Sequence, residues 1–125
     1  MNEKIMNWSS KMFYHQMLYA AEQVKSHSLC DLGAGIKGTP MATVLRMFDT
    51  SKAGMQEICN DSKKCPSFAN VGEAGAVVEY VEALMRNNIR PDQIAVITPY
   101  KYQVLDINSI SRKACYLNYF SIKIF

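Results

Sequence analysis

No stretch of this chain holds the roughly 18 uninterrupted apolar residues that a membrane helix needs. Glu79 and Glu82 interrupt its best apolar candidate, so no membrane-spanning helix is expected. The start has no cationic segment leading into an apolar core, so secretion is not expected and the Asn-x-Ser sequons at Asn7 and Asn60 carry no expectation of glycosylation. Histidine is scarce: there are 2, His15 and His27, both early in the chain and without a nucleophile motif beside them. No Ser/His/Asp or Cys/His catalytic set can be assembled from them. The 4 cysteines, Cys30, Cys59, Cys65 and Cys115, form no Cys-x-x-Cys pair, and both histidines lie far from the closest cysteine pair. A metal site is therefore not expected, and reduced thiols in an intracellular compartment are. Charge of one sign is also lacking. Lys+Arg 14 against Asp+Glu 11 leaves a net +3, which permits a nucleic-acid surface without arguing for one.

What remains is the composition of a folded domain, 49% hydrophobic and 20% charged in 125 residues, a length that suits one compact unit. Residues 2–14 read as a short helix, with Asn2 as its cap and Ile5, Trp8 and Met12 at helical spacing. A second short helix is expected over residues 20–32, followed by a glycine-rich loop over 33–40. Residues 42–48, ending before Asp49-Thr50, suggest a mostly buried strand. Residues 51–69 have no clear period and read as a long surface loop or partly disordered linker.

The clearest element is a helix over residues 71–88. Val71, Ala74, Val77, Val78, Val81, Leu84 and Met85 form one apolar stripe. Asn70 and Glu73 have the spacing of a capping box, and Glu82 precedes Arg86 by one favourable turn. An almost wholly apolar strand over 94–98 comes next. Strand, helix and strand make a right-handed crossover, and strands apolar on both faces belong in a parallel sheet flanked by helices. The expected fold class is therefore α/β. Pro99 suits a first helical position, with the helix running to about residue 108. The tail from 116 to 125 either pairs as an edge strand or is not used by the fold.

Gly33-Ala34-Gly35-Ile36-Lys37-Gly38 spells G-x-G-x-x-G, but it follows a helical segment and precedes a strand, the wrong context for a dinucleotide fingerprint. Lys37-Gly38-Thr39 inverts the order a triphosphate loop requires. Glu73 reads as a cap, and Glu79 and Glu82 as the solvated face of a helix. The better signal lies at the strand ends, where open parallel sheets bind their ligands. There Thr98, held extended by Pro99, can cap the next helix, with the N–H groups of Tyr100 and Lys101 pointing outward as an anion site. The plainer alternative is that Thr98 only caps and Tyr100 only packs.

Asn70-Val71-Gly72-Glu73-Ala74, the helix, and Ile94-Ala95-Val96-Ile97-Thr98-Pro99-Tyr100-Lys101-Tyr102-Gln103 together resemble the second RecA-like domain of superfamily 1B helicases. That group includes the nonsense-mediated-decay, immunoglobulin mu-binding and senataxin-like helicases. Residues 1–6 with Phe13-Tyr14 resemble the stretch just after the family's Gln-Tyr-Arg-Met-His, and residues 44–50 its strand ending in Asp-Thr. The resemblance implies an incomplete RecA-like domain over residues 1–108 and a divergent tail over 109–125. It implies ATP-driven, Mg2+-dependent translocation along single-stranded DNA or RNA, a first RecA-like domain as the missing partner, and a nuclear or cytoplasmic setting. It also places Thr98, Tyr100, Lys101 and Gln103 at the nucleic-acid backbone. The triphosphate loop, the Asp-Glu metal motif and the arginine motifs do not occur, so the expectation is a helicase fragment inactive alone. The alternative from another class is a non-enzymatic nucleic-acid-binding or protein-interaction module.

Overall fold

The computed structural model describes residues 1–60, 66–113 and 121–124. The chain divides into two compact units, Met1–Phe48 and Asp49–Phe125.

In the first unit, α1 (Glu3–Phe13) forms where its cap and spacing require it, with Asn2 Oδ1 accepting from the Lys4 N–H at 2.8 Å. The face it buries is not the expected one. Ile5, Trp8 and Met12 stay exposed, while Asn2, Met6 and Ser10 turn inward. Hydrogen bonds decide the orientation: Asn2 Nδ2 donates to the His27 carbonyl at 2.6 Å, the Glu3 N–H to the Lys25 carbonyl at 2.9 Å, and the Leu18 N–H to Ser10 Oγ at 3.2 Å. The α-helix expected over 20–32 is replaced by turns and a 3-10 turn, Leu29–Asp31, in which Asp31 Oδ2 accepts from the Ser28 N–H at 2.7 Å. That bond holds the Asp31 carboxyl below the usual aspartate range.

The strand expected over 42–48 does not form. The segment leaves a 3-10 turn, Pro40–Ala42, whose carbonyl at Pro40 accepts from Thr43 Oγ1 at 2.5 Å, and Leu45, Met47 and Phe48 are exposed. An apolar run becomes a strand only where a neighbour completes its backbone hydrogen bonds. Among the described residues, 42–48 have no such neighbour.

The second unit carries the mixed architecture. The stretch read as a linker contains a hairpin, β1 (Glu57–Asn60) antiparallel to β2 (Ser67–Asn70), with Glu57 opposite Asn70. Next come α2 (Val71–Arg86), β3 (Ala95–Thr98), α3 (Lys101–Lys113) and β4 (Ser121–Ile124). The parallel neighbour of β3 is β4, with Thr98 opposite Ile124, rather than the segment 42–48. Residues 121–124 thus take the edge-strand alternative; residues 116–120 lie outside the described residues.

The core forms where the stripe of α2 meets α3: Ala74, Val78, Val81 and Ile107 are buried together, with Val96 of β3 packed against them. Burial alternates along β3, with Val96 and Thr98 inward and Ile97 63% exposed. The expectation of a strand buried on both faces is corrected accordingly: one face packs on helices and the other is open. Met55 lies over the first turn of α2, where a Cβ on Gly72 would stand 2.7 Å from the Met55 Cγ.

The end of α2 is a Schellman closure. The Ile89 N–H donates to the Leu84 carbonyl at 3.2 Å and the Asn88 N–H to that of Met85 at 3.0 Å, with Asn88 at φ 66°. Buried Ile89 adds the accompanying apolar contact. Asn88→Ala is expected to cost about 1 kcal/mol by placing an ordinary Cβ in the left-handed region, and Asn88→Gly to cost nothing or stabilise slightly. Urea unfolding followed by circular dichroism checks both.

Candidate nucleic-acid interface

Two helix starts and two strand ends converge in the second unit. β2 ends at Asn70, which caps α2: its Oδ1 accepts from the Glu73 N–H at 3.1 Å. The reciprocal half of the expected capping box does not form. The Asn70 N–H goes instead to Gln103 Oε1 at 2.6 Å, and the Glu73 carboxylate accepts from the Thr50 hydroxyl at 2.9 Å. Gln103 Nε2 also donates to the Asn70 carbonyl at 3.2 Å. One side-chain amide thereby satisfies both backbone groups of one residue.

The start of α3 is tied to the hairpin as well, because the Tyr102 N–H donates to Ser67 Oγ at 3.0 Å. Helix α3 begins two residues later than Pro99 suggested. The Tyr100 carbonyl is its first acceptor, taking the Val104 N–H at 3.2 Å, which puts Tyr100 rather than Thr98 at the cap position. Thr98 closes the turn before the helix: its Oγ1 accepts from the Tyr100 N–H at 3.3 Å. That N–H, expected to point outward toward an anion, is therefore already paired.

The sequence-derived set separates into distinct settings. Thr98 is 8% exposed, with its hydroxyl hydrogen available beyond the bond it accepts. Lys101 and Tyr100 are exposed. Gln103 is equally buried at 8%, and its amide is fully engaged with Asn70. Phe68, which sequence reasoning missed, stands edge-to-face with Tyr100 at 5.7 Å between ring centres. No local signal marks it, since the pairing depends on the hairpin. Thr98, Tyr100, Gln103 and Phe68 line a cavity of about 300 Å³ whose lining also includes Glu57, Glu73 and Val96.

Of Asp49-Thr50, which follow the expected strand, Thr50 bonds to Glu73 and Asp49 serves locally. The Asp49 carboxylate accepts from the Ser51 N–H at 2.9 Å, and bonding to Ser51 lowers its pKa. Among the described residues, the glycine-rich loop does not have the setting of a triphosphate loop. Gly33–Thr39 neither follows a strand nor opens an α-helix, and among the described residues no three His, Cys, Asp or Glu side chains are grouped for a cation. Among those residues, too, no helix is long and apolar enough to cross a membrane.

A family model described as an AAA domain matches residues 1–124. The chain is 35% identical over 105 residues to DNA-binding protein SMUBP-2 of Mesocricetus auratus, which covers 83% of this chain and 10% of that protein. It is 36% identical over 108 residues to an uncharacterized ATP-dependent helicase of Methanocaldococcus jannaschii, covering 83% of this chain and 15% of the relative. Over 116 residues it is 31% identical to the DNA polymerase alpha-associated DNA helicase A of Saccharomyces cerevisiae, covering 88% and 17% respectively. The chain thus spans between about a tenth and a sixth of the length of these relatives.

Proposed function

This chain belongs to the AAA domain family and to a group of helicase relatives, and from that premise we propose that it is part of the second RecA-like domain of a superfamily 1B-type, ATP-dependent DNA or RNA helicase. Its own share of the work is contact with a single strand, in the nucleus or cytoplasm. ATP and Mg2+ are held by parts of a helicase that these residues do not supply, including a first RecA-like domain, and the chain alone neither hydrolyses ATP nor unwinds a duplex.

The observation that carries this reading is the turn at the end of β3. It offers a hydroxyl, Thr98, on the lining of a concave surface, with an exposed cation, Lys101, three residues further along the chain. Thr98 Oγ donates to a phosphate oxygen, Lys101 neutralises the charge, and Tyr100 flanks the strand. Gln103, placed at the backbone by the resemblance, acts by positioning, since both ends of its amide hold Asn70.

Anisotropy of a labelled single-stranded oligonucleotide, followed across salt concentration, tests the reading. Binding is expected to weaken as salt rises, Lys101→Ala to reduce the slope of log K against log salt by about 0.7, and Thr98→Ala to weaken binding about fivefold. Salt-independent binding, or nucleic-acid-stimulated ATP turnover lost on Thr98→Ala, overturns it.

A further inference from the structure

The cavity at this turn is lined by carboxylates and, among the described residues, by no cation. Two aromatic rings, Phe68 and Tyr100, form part of its wall, and the carboxylates of Glu57 and Glu73 supply its negative charge. A phosphate drawn past Thr98 toward those carboxylates would meet like charges, so the backbone belongs at the turn itself. We propose that the cavity seats one unpaired nucleobase bearing an exocyclic amino group, stacked on the Phe68–Tyr100 pair. This rests on the nucleic-acid reading above and adds which part of the polymer enters the fold.

Three features support the seat. First, the rings touch edge-to-face and yet remain 37% and 44% exposed, so they do not cover each other and aromatic surface is left open for stacking. Second, about 300 Å³ is at the small end of ligand pockets, room for a base rather than a whole nucleotide. Third, the charged groups on the lining, the carboxylates of Glu57 and Glu73, are acceptors. Asn70 Oδ1 accepts from the Glu73 N–H, and both ends of the Gln103 amide hold the Asn70 backbone. Glu73 takes one hydrogen bond, from Thr50, and a carboxylate has about four acceptor positions. Amino groups of cytosine, adenine or guanine satisfy such acceptors. The carbonyl that thymine or uracil presents in place of cytosine's amino group faces them without a proton to share.

Oligo(dC) and oligo(dT) of equal length carry equal backbone charge, so a difference between them isolates the base. Oligo(dC) is expected to bind about tenfold tighter, Phe68→Ala to weaken oligo(dC) about tenfold, and Glu73→Gln to abolish the preference while circular dichroism shows the fold retained. In parallel, cytidine but not thymidine is expected to shift the ring resonances of Phe68 and Tyr100 in the unsubstituted chain, a readout that needs no variant to fold. Equal, salt-dependent affinity for both oligomers overturns the base seat and leaves the backbone reading standing. Ring shifts with cytidine and no oligomer binding support the seat and overturn the backbone reading. No response to any of the four ligands overturns both.

Discussion

Ile107→Ala is expected to lower the unfolding free energy by about 3 kcal/mol, whereas Ile97→Ala, one strand away, is expected to change it by less than about 0.5 kcal/mol. Both remove the same three carbons. Ile107 is 1% exposed in the cluster with Ala74, Val78 and Val81, so its truncation opens a void between α2 and α3 that neighbouring rotamers can only partly fill. Ile97 stands on the open face of β3 and already meets solvent. Urea denaturation by circular dichroism gives both values. Similar losses for the two variants would mean that the open face of β3 is covered and the core assignment is wrong. Because Ile107 also lines the cavity, its loss is expected to weaken single-strand binding as well.

The elements legible in the sequence were those decided by local chemistry. Asn2 and Asn70 announced two helix starts because a short side-chain acceptor answers the nearby N–H groups wherever the chain is placed. The stripe of α2 named its buried face almost residue by residue, except that Val71, on the first turn, stays exposed. The strand over 94–98 was legible from its β-branched run. What failed depended on partners. Residues 42–48 have strand composition without a strand beside them, while 57–60 and 67–70 have little strand signal and pair with each other. The orientation of α1 is set by hydrogen bonds to residues 18–27 rather than by its apolar spacing. At the candidate interface, Thr98, Tyr100 and Lys101 are neighbours in sequence and could be read together. Phe68 could not, since only the hairpin and the start of α3 bring it to Tyr100.

Gln103→Leu is expected to cost about 2–4 kcal/mol, as large an effect as emptying part of the core, although it replaces a polar side chain with an apolar one of similar size. The reason lies with Asn70, 33 residues away. Its N–H and carbonyl are answered by the two ends of the Gln103 amide, at 2.6 and 3.2 Å, and leucine would leave both unpaired at a half-buried residue. Gln103→Glu keeps the acceptor for the N–H but sets an anionic oxygen against the Asn70 carbonyl. It is expected to lose less than leucine at neutral pH and to recover part of the loss as acid protonates the carboxyl and restores a donor. Urea unfolding at two pH values separates these contributions. The same clamp fixes β2 to α3, so loosening it lets Phe68 drift from Tyr100 while Lys101 stays exposed. Gln103→Leu should therefore erase the preference for oligo(dC) while the salt slope of binding survives. A loss of the salt slope as well would mean that Gln103 touches the backbone directly rather than holding the turn.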